Sequence, residues 1–147
     1  MSLDESRWNE MTAMIIGAAM EVHRTVGPGL LENAYQACLV QELADRGLHL
    51  EVQKALPIIY KSVYVSCGYR IDILVEHQII VEVKAVDKLL PIHVAQILAY
   101  LKLTGCPIGL VLNFNTVRLA DGIKRVINTA QAVPGEPTLT QEPGTRP

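Results

Sequence analysis

Two acids and an amine on neighbouring predicted strands are the residues of this sequence best placed to do chemistry. Asp72 lies in a segment rich in β-branched and aromatic residues, 63–75, and Glu82 and Lys84 interrupt a short, nearly continuous apolar run, 79–86. Both segments are typical of strands, and a continuous apolar run is typical of a strand buried on both faces. The chemistry then depends on how the two strands pair.

The polar connection between these strands sets their register. If three residues close the hairpin, Val75 faces Ile79, and counting back along both strands sets Asp72 opposite Glu82. Facing residues on adjacent strands have Cβ atoms about 4.5–5.5 Å apart. The register therefore predicts two carboxylates on one face of the sheet, with Lys84 two residues further along.

Two carboxylates this close repel each other, and burial increases that cost unless a cation or a proton neutralises the pair. Mg²⁺ prefers oxygen ligands and is often held by one or two carboxylates together with substrate phosphates. We therefore predict that Asp72 and Glu82 bind Mg²⁺ or Mn²⁺, with Lys84 orienting a water or stabilising a phosphate oxyanion. The alternative is an exposed sheet edge, where the acids form weak surface ion pairs with Arg70, Lys84 or Lys61.

A third acid, Glu32, lies in the first turn of a predicted helix over residues 30–46, close to Tyr35. One interpretation is that this carboxylate only interacts favourably with the helix dipole, which is worth about 0.3–1 kcal/mol. The other interpretation makes Glu32 a further ligand of the same cation.

Two polar side chains share one face of a later helix, predicted over residues 90–104 with Pro91 in its first turn. Gln96 and Tyr100 are four residues apart and so lie on the same face. They could hydrogen-bond to the phosphate backbone of a substrate or to the water beside Lys84. In the alternative they are a polar edge beside a packing face, which would consist of Ile92, Ala95, Leu98 and Ala99.

The remaining patterns complete an order of helices and strands that predicts an α/β fold with a mixed sheet. They are a helix over 6–24, strands over 49–60 and 108–113, and a small C-terminal hairpin of 117–120 and 123–127 around Asp121-Gly122. The strand–helix–strand step predicts some parallel pairing. We expect one domain over residues 1–132 and a flexible Pro/Gly-rich tail over 133–147.

The composition excludes several classes of protein. A net charge of −2 argues against a strongly basic nucleic-acid coat protein, and no apolar stretch is long enough to span a membrane. The 3 cysteines form no C-x-x-C pair, which favours the cytoplasm, and the 4 histidines have no paired metal-ligand spacing, so no zinc site is predicted. A hydrophobic fraction of 50% in a small domain favours a homodimer.

The segment Gly29-x-x-Glu32-x-x-Tyr35 resembles the signature of the GxxExxY proteins, which are small bacterial and archaeal proteins. The resemblance extends over about residues 10–128 and is specific, because several separated motifs occur in the same order. These further motifs are residues 16–19, 21–23, 27–32, 69–72, 81–85 and 112–114.

That family is placed in the PD-(D/E)xK nuclease-like superfamily, so the resemblance implies a restriction-endonuclease-like core of helix, three strands, helix and strand, here with an extra N-terminal helix. It implies that Asp72 is the acid of the second core strand and that Glu82 and Lys84 are the (D/E)xK of the third. Glu32 matches the acid of the first core helix. One position departs from the pattern, because Ile71 rather than proline precedes Asp72.

The resemblance also implies a function, Mg²⁺-dependent hydrolysis of DNA phosphodiester bonds by a metal-activated water. Glu32, Asp72, Glu82 and Lys84 would be the catalytic residues, and the three acids would hold the metal. Gln96 and Tyr100 resemble the helix motif of the recombination-type nucleases, and with Arg70 and Tyr35 they would bind the substrate. Since a fold does not prove an activity, two alternatives stay open: a non-catalytic nucleic-acid or protein binding module, and hydrolysis of a nucleotide or another phosphate ester.

Overall fold

Helices lie on both faces of a mixed sheet in the computed structural model, which describes residues 2–129. The elements are α1 (Leu3–Val26), α2 (Glu32–Asp45), β1 (Leu50–Ala55), β2 (Ile58–Tyr60), β3 (Val63–Val65), β4 (Arg70–Val75), β5 (Ile79–Lys84), α3 (Pro91–Thr104), β6 (Ile108–Asn113), a 3₁₀ turn (Leu119–Gly122) and β7 (Ile123–Ile127). The main sheet has the order β1-β4-β5-β6-β7, and only β5 and β6, which α3 connects, are parallel. The predicted α/β class is therefore confirmed, while the predicted tail lies outside the described residues.

Two hydrophobic cores share this sheet. Helices α1 and α2 pack on one face through side chains such as Ile15 and Leu39, which are fully buried against Val81 and its neighbours. Helix α3 packs on the other face through Ile97 and Leu101. Because α1 covers the sheet of its own chain, its apolar stripe does not require a partner subunit. Within residues 2–129 no helix is both long and apolar enough to cross a membrane.

The predicted strands over 49–60 and 63–75 are each divided in two. Pro57 follows β1, since proline has no backbone N–H to donate to a ladder, and Gly68 (φ 80°) precedes β4 in the left-handed region. The end of the first predicted strand (β2) and the beginning of the second (β3) pair with each other in a separate two-stranded hairpin. Strands β1 and β4 of the main sheet are therefore shorter than predicted, and the β2–β3 hairpin lies between them in the sequence.

The predicted C-terminal hairpin is wrong. Residues 117–120 do not form a strand; a 3₁₀ turn covers Leu119–Gly122, and β7 pairs with β6 instead. The physical reason is burial, because Leu119 is only 4% exposed and joins the α1–α2 core. Gly122 lies so close to the chain after β6 that an added Cβ would be 2.3 Å from the carbonyl oxygen of Asn113. The Asp-Gly pair therefore ends a turn that faces the core.

The packing face considered for α3 in the alternative interpretation is also wrong. Ile92 is 67% exposed, and Ala95 and Ala99 are exposed as well. The buried residues of this helix are Ile97, Tyr100, Leu101 and Thr104. Apolar residues occur on most sides of α3, so spacing alone does not identify the face that packs on the sheet. The orientation of α3 about its own axis differs from the expected one and places Tyr100 among the residues that pack against the sheet.

Candidate active site

Carboxylates interrupt the backbone ladder between β4 and β5. The register pairs Val75 with Ile79, as predicted, but the regular ladder stops before Asp72. There the backbone N–H of Asp72 donates to Glu82 Oε2 at 2.8 Å, and the N–H of Val83 donates to Asp72 Oδ2 at 2.8 Å. The two acids therefore face each other across the strands, and each carboxylate replaces a carbonyl group as acceptor.

The sheet is distorted on the other side of Asp72 as well. Gln53 of β1 has a φ of 53°, and Ile71 packs in the α3 core while Ile73 packs in the opposite one, although strict alternation would put both on one face. Gln53 Nε2 donates to Asp72 Oδ1 at 3.2 Å and to Gln36 Oε1 of α2 at 2.8 Å. Gln53 thus ties the acid to α2. Sequence reasoning missed it, although the pairing of β1 with β4 would have placed it opposite Asp72.

Burial and mutual repulsion favour the protonated forms of both acids. Glu82 is 4% exposed, and burial, followed by the negative charge of Asp72, raises the pKa of Glu82 to about 8. Burial also raises the pKa of Asp72, although the hydrogen bonds from Val83 and Gln53 oppose the shift. Within residues 2–129 neither acid has a basic side chain within 4 Å. The exposed ion pairs of the alternative interpretation are therefore not formed.

The third acid and the amine come to the same end of the sheet. Glu32, at the start of α2, is exposed, and its Oε2 accepts a hydrogen bond of 3.2 Å from the N–H of Ala85, just after β5. Lys84 is half-buried, and its charge lowers the pKa of Asp72 while that of Glu32 raises it. The structure therefore gathers the four predicted catalytic side chains from α2, β4 and β5.

Asn113, at the end of β6, fixes the chain that leaves this site. It is 2% exposed, its Oδ1 accepts from the N–H of Val86 at 3.0 Å, and its Nδ2 donates to the Val86 carbonyl at 2.9 Å. The register pairs Asn113 with Lys84, and the N–H of Phe114 donates to the Lys84 carbonyl at 2.9 Å. Asn113 thus supports the backbone of Lys84. The sequence signal was a polar residue ending a fully buried strand.

The predicted substrate-binding residues Gln96, Tyr100 and Arg70 lie on elements that adjoin the acids, α3 and β4. Burial, followed by the charge of Glu82, raises the pKa of Tyr100 to about 12, and Gln96 hydrogen-bonds to Tyr100. Arg70 is exposed at the start of β4, where its Nη1 donates to the Gln53 carbonyl at 3.3 Å. The Tyr100 phenol is therefore close enough to the acids to sense their charge, while the Arg70 guanidinium group contacts Gln53, the residue that donates to Asp72.

Tyr35 does not lie where a substrate could contact it. Its side chain is 0% exposed and stacks on Phe114 with ring centroids 4.6 Å apart. Its hydroxyl group donates to the Gly27 carbonyl at 2.6 Å and accepts from the N–H of Leu30 at 3.1 Å. We therefore correct its predicted role: Tyr35 anchors the loop that precedes Glu32, and so positions that acid indirectly.

We expect the Tyr35→Phe variant to be less stable than the wild type by about 1–3 kcal/mol, because the Gly27 carbonyl and the Leu30 N–H lose a shared partner. Denaturant-induced unfolding measures the change. Tyr60→Phe is the matched control, since Tyr60 is 61% exposed and should tolerate the change within about 0.5 kcal/mol. Equal stability of the two variants would show that the buried hydroxyl does not hold the loop.

A second group of potential metal ligands lies at the other end of β4. His49, Glu51 and His77 each have one ligand atom within 4.8 Å of those of the other two. Spacing along the sequence did not reveal this group, because its members come from the start of β1 and from the turn between β4 and β5.

The sequence profile of the PD-(D/E)XK nuclease superfamily matches residues 9–126, which is most of the chain. The match includes Glu32, Asp72, Glu82 and Lys84. No curated protein and no solved structure gives a significant match.

Proposed function

Because the chain belongs to the PD-(D/E)XK nuclease superfamily, we propose that it is a metal-dependent nuclease that hydrolyses phosphodiester bonds of DNA. One observation supports the proposal most strongly: Glu82, which is buried, and Asp72, which is half-buried, face each other with no basic side chain within 4 Å in residues 2–129. A purely structural acid pair at this depth would be expected to have a cationic partner.

The donors of this site fit a hard divalent cation. Asp72 and Glu82 offer carboxylate oxygens, and Glu32 offers a third, directly or through a water, which is the chemistry that Mg²⁺ and Mn²⁺ prefer. A bound cation would supply Lewis acidity toward a phosphate oxygen and would lower the pKa of a water molecule. Burial and mutual repulsion raise the pKa values of both acids in the metal-free protein, and a bound cation would lower these pKa values because it compensates the negative charges of the carboxylates.

The remaining side chains would bind the substrate and orient the reaction. In this proposal the Lys84 ammonium group donates to the attacking water and to the negative charge that develops on the phosphate. Tyr100 keeps its proton throughout the neutral range, since its pKa is about 12, and so acts with Gln96 as a donor to a phosphate oxygen. Arg70 supplies a charged donor to the next phosphate at the rim of the site.

The test is cleavage by the full chain, after removal of metal with EDTA, of labelled duplex DNA, single-stranded DNA and RNA of one sequence. We expect cleavage of DNA with Mg²⁺ or Mn²⁺ and none in EDTA. Faster cleavage of RNA would overturn DNA as the substrate. No cleavage of any of the three, together with no Mn²⁺ binding in calorimetry, would overturn the enzyme and favour the non-catalytic binding module.

Three finer statements belong to the same proposal. The motif Gly29-x-x-Glu32-x-x-Tyr35 supports membership of the GxxExxY proteins within the superfamily. The free thiols of Cys38, Cys67 and Cys106 are consistent with the reducing cytoplasm that we propose as its location. A homodimer, expected from the high apolar fraction, stays a prediction.

A further inference from the structure

We propose that His49, Glu51 and His77 form a second metal site, which binds a transition-metal ion of the Zn²⁺ class. The ligand atoms of the three side chains lie within 4.8 Å of one another. The imidazole rings of His49 and His77 have centroids 4.7 Å apart, and His77 Nδ1 lies 3.6 Å from Glu51 Oε1. Because Zn²⁺ binds nitrogen and oxygen ligands at about 2.0–2.2 Å, the ligand atoms would have to approach one another further to share one ion.

The backbone already holds the two histidines together. The N–H of Glu76 donates to the His49 carbonyl at 2.9 Å, and the N–H of His49 donates to Glu76 Oε2 at 2.5 Å. The turn that carries His77 is closed by a bond of 3.0 Å from the N–H of Gln78 to the Val75 carbonyl. An ion here would find its ligands on two segments that are already fixed, so little conformational entropy would be lost on binding.

The carboxylate of the group has an unsatisfied acceptor. Glu51 Oε2 is shielded from solvent and, within residues 2–129, accepts no hydrogen bond. The Lys54 ammonium group lies 2.9 Å from the same oxygen without hydrogen-bond geometry. A metal ion could bind to this oxygen, and the Lys54 ammonium group would then compete with the ion for the Glu51 carboxylate.

The mixed donor set determines the class of ion. Neutral imidazole is a ligand for Zn²⁺, Cu²⁺, Ni²⁺ and Co²⁺, whereas Mg²⁺ prefers oxygen ligands alone. Two imidazoles and one carboxylate leave a fourth position, and the exposure of His49 and His77 leaves that position to water. The site lies at the turn end of β4, away from Asp72, so this inference does not rest on the proposed nuclease function.

The test is a calorimetric titration of the full chain with Zn²⁺ after removal of bound metal. Millimolar Mg²⁺ is present so that it occupies the proposed site at Asp72 and Glu82. We expect one Zn²⁺ per chain and a weakening of more than about 10-fold in both His77→Asn and Glu51→Gln, since even outer-shell changes cost that much. Asparagine is chosen because His77 has a φ of 60°, which asparagine tolerates. Lys54→Gln should bind Zn²⁺ more tightly than the wild type.

The matched control is Cys67→Ser, which removes an exposed thiol that could bind Zn²⁺ elsewhere and should leave the affinity unchanged. A second readout is the visible absorption of bound Co²⁺, which should report a four-coordinate ion in the wild type and be lost in His77→Asn. Unchanged Zn²⁺ affinity in both His77→Asn and Glu51→Gln, or loss of binding in Cys67→Ser alone, would overturn the site.

Discussion

The Lys84→Ala variant should lose metal-dependent cleavage by about 100- to 1000-fold in kcat while remaining folded. The loss follows from the removal of one positioned donor to the developing phosphate charge, which typically costs that much. The fold should survive because the Lys84 contacts that the structure requires are made by its backbone, through the bond from the N–H of Phe114 to its carbonyl. Single-turnover cleavage rates at saturating metal measure the effect, and thermal unfolding checks the fold.

The same experiment includes Asp72→Asn, which keeps the shape of the side chain but removes its charge. Its cleavage should fall at least as far, with weaker Mn²⁺ binding, because a charged carboxylate ligand is replaced by a neutral amide oxygen. Lys88→Ala is the matched control, since Lys88 is exposed and lies four residues beyond Lys84. If Lys84→Ala and Asp72→Asn both cut as fast as the wild type, the proposed assignment of the site is wrong.

The second large effect concerns stability without metal. Glu82 has a pKa of about 8 in the folded protein and an ordinary value of 4.5 in the unfolded chain. Between those two pH values the folded state binds the additional proton, so the free energy of unfolding of the metal-free protein falls as the pH rises, and above about pH 8 the loss is complete. The raised pKa of Asp72 acts in the same direction.

Glu82→Gln should therefore be more stable than the metal-free wild type at pH 9 by roughly 2–4 kcal/mol. At about pH 4.5 the two should be nearly equal, because the wild-type carboxyl is then protonated. The glutamine carbonyl can still accept the bond from the N–H of Asp72. Urea unfolding in EDTA at both pH values measures the difference, and the variant should be inactive as a nuclease.

Glu10→Gln is the control for this comparison, because Glu10 is exposed on α1 and the same change of residue type there should alter the free energy of unfolding by no more than about 0.5 kcal/mol. Added Mg²⁺ should raise the stability of the wild type at pH 9, since ionised carboxylates bind it, but not that of Glu82→Gln. Parallel pH profiles for the wild type and Glu82→Gln would mean that the acid pair is ionised in the folded protein at neutral pH.

The sequence by itself determined the facing of Asp72 and Glu82, because this depends on short-range rules. A three-residue connection fixes the register of a hairpin, which set Val75 opposite Ile79 and so brought Asp72 close to Glu82. The distortion at Asp72, which puts Ile71 and Ile73 on opposite faces, was not predicted. The order of elements was determined in the same way, by local periodicity and by breakers such as Gly105 after α3. The motifs around Glu32 and Lys84 were sufficient for the resemblance that the superfamily match supports at the coarser level.

Only the tertiary structure decided which face of α3 packs, why Tyr35 is buried and where the chain after β6 turns. Each depends on contacts between segments distant in sequence: Tyr35 stacks on Phe114, and Gly122 lies against Asn113. The grouping of His49 and His77 has the same origin, since β1 must first pair with β4 before its start meets the turn. Local sequence patterns carry no information about such contacts, because the free energy that selects them comes from burial summed over the whole core.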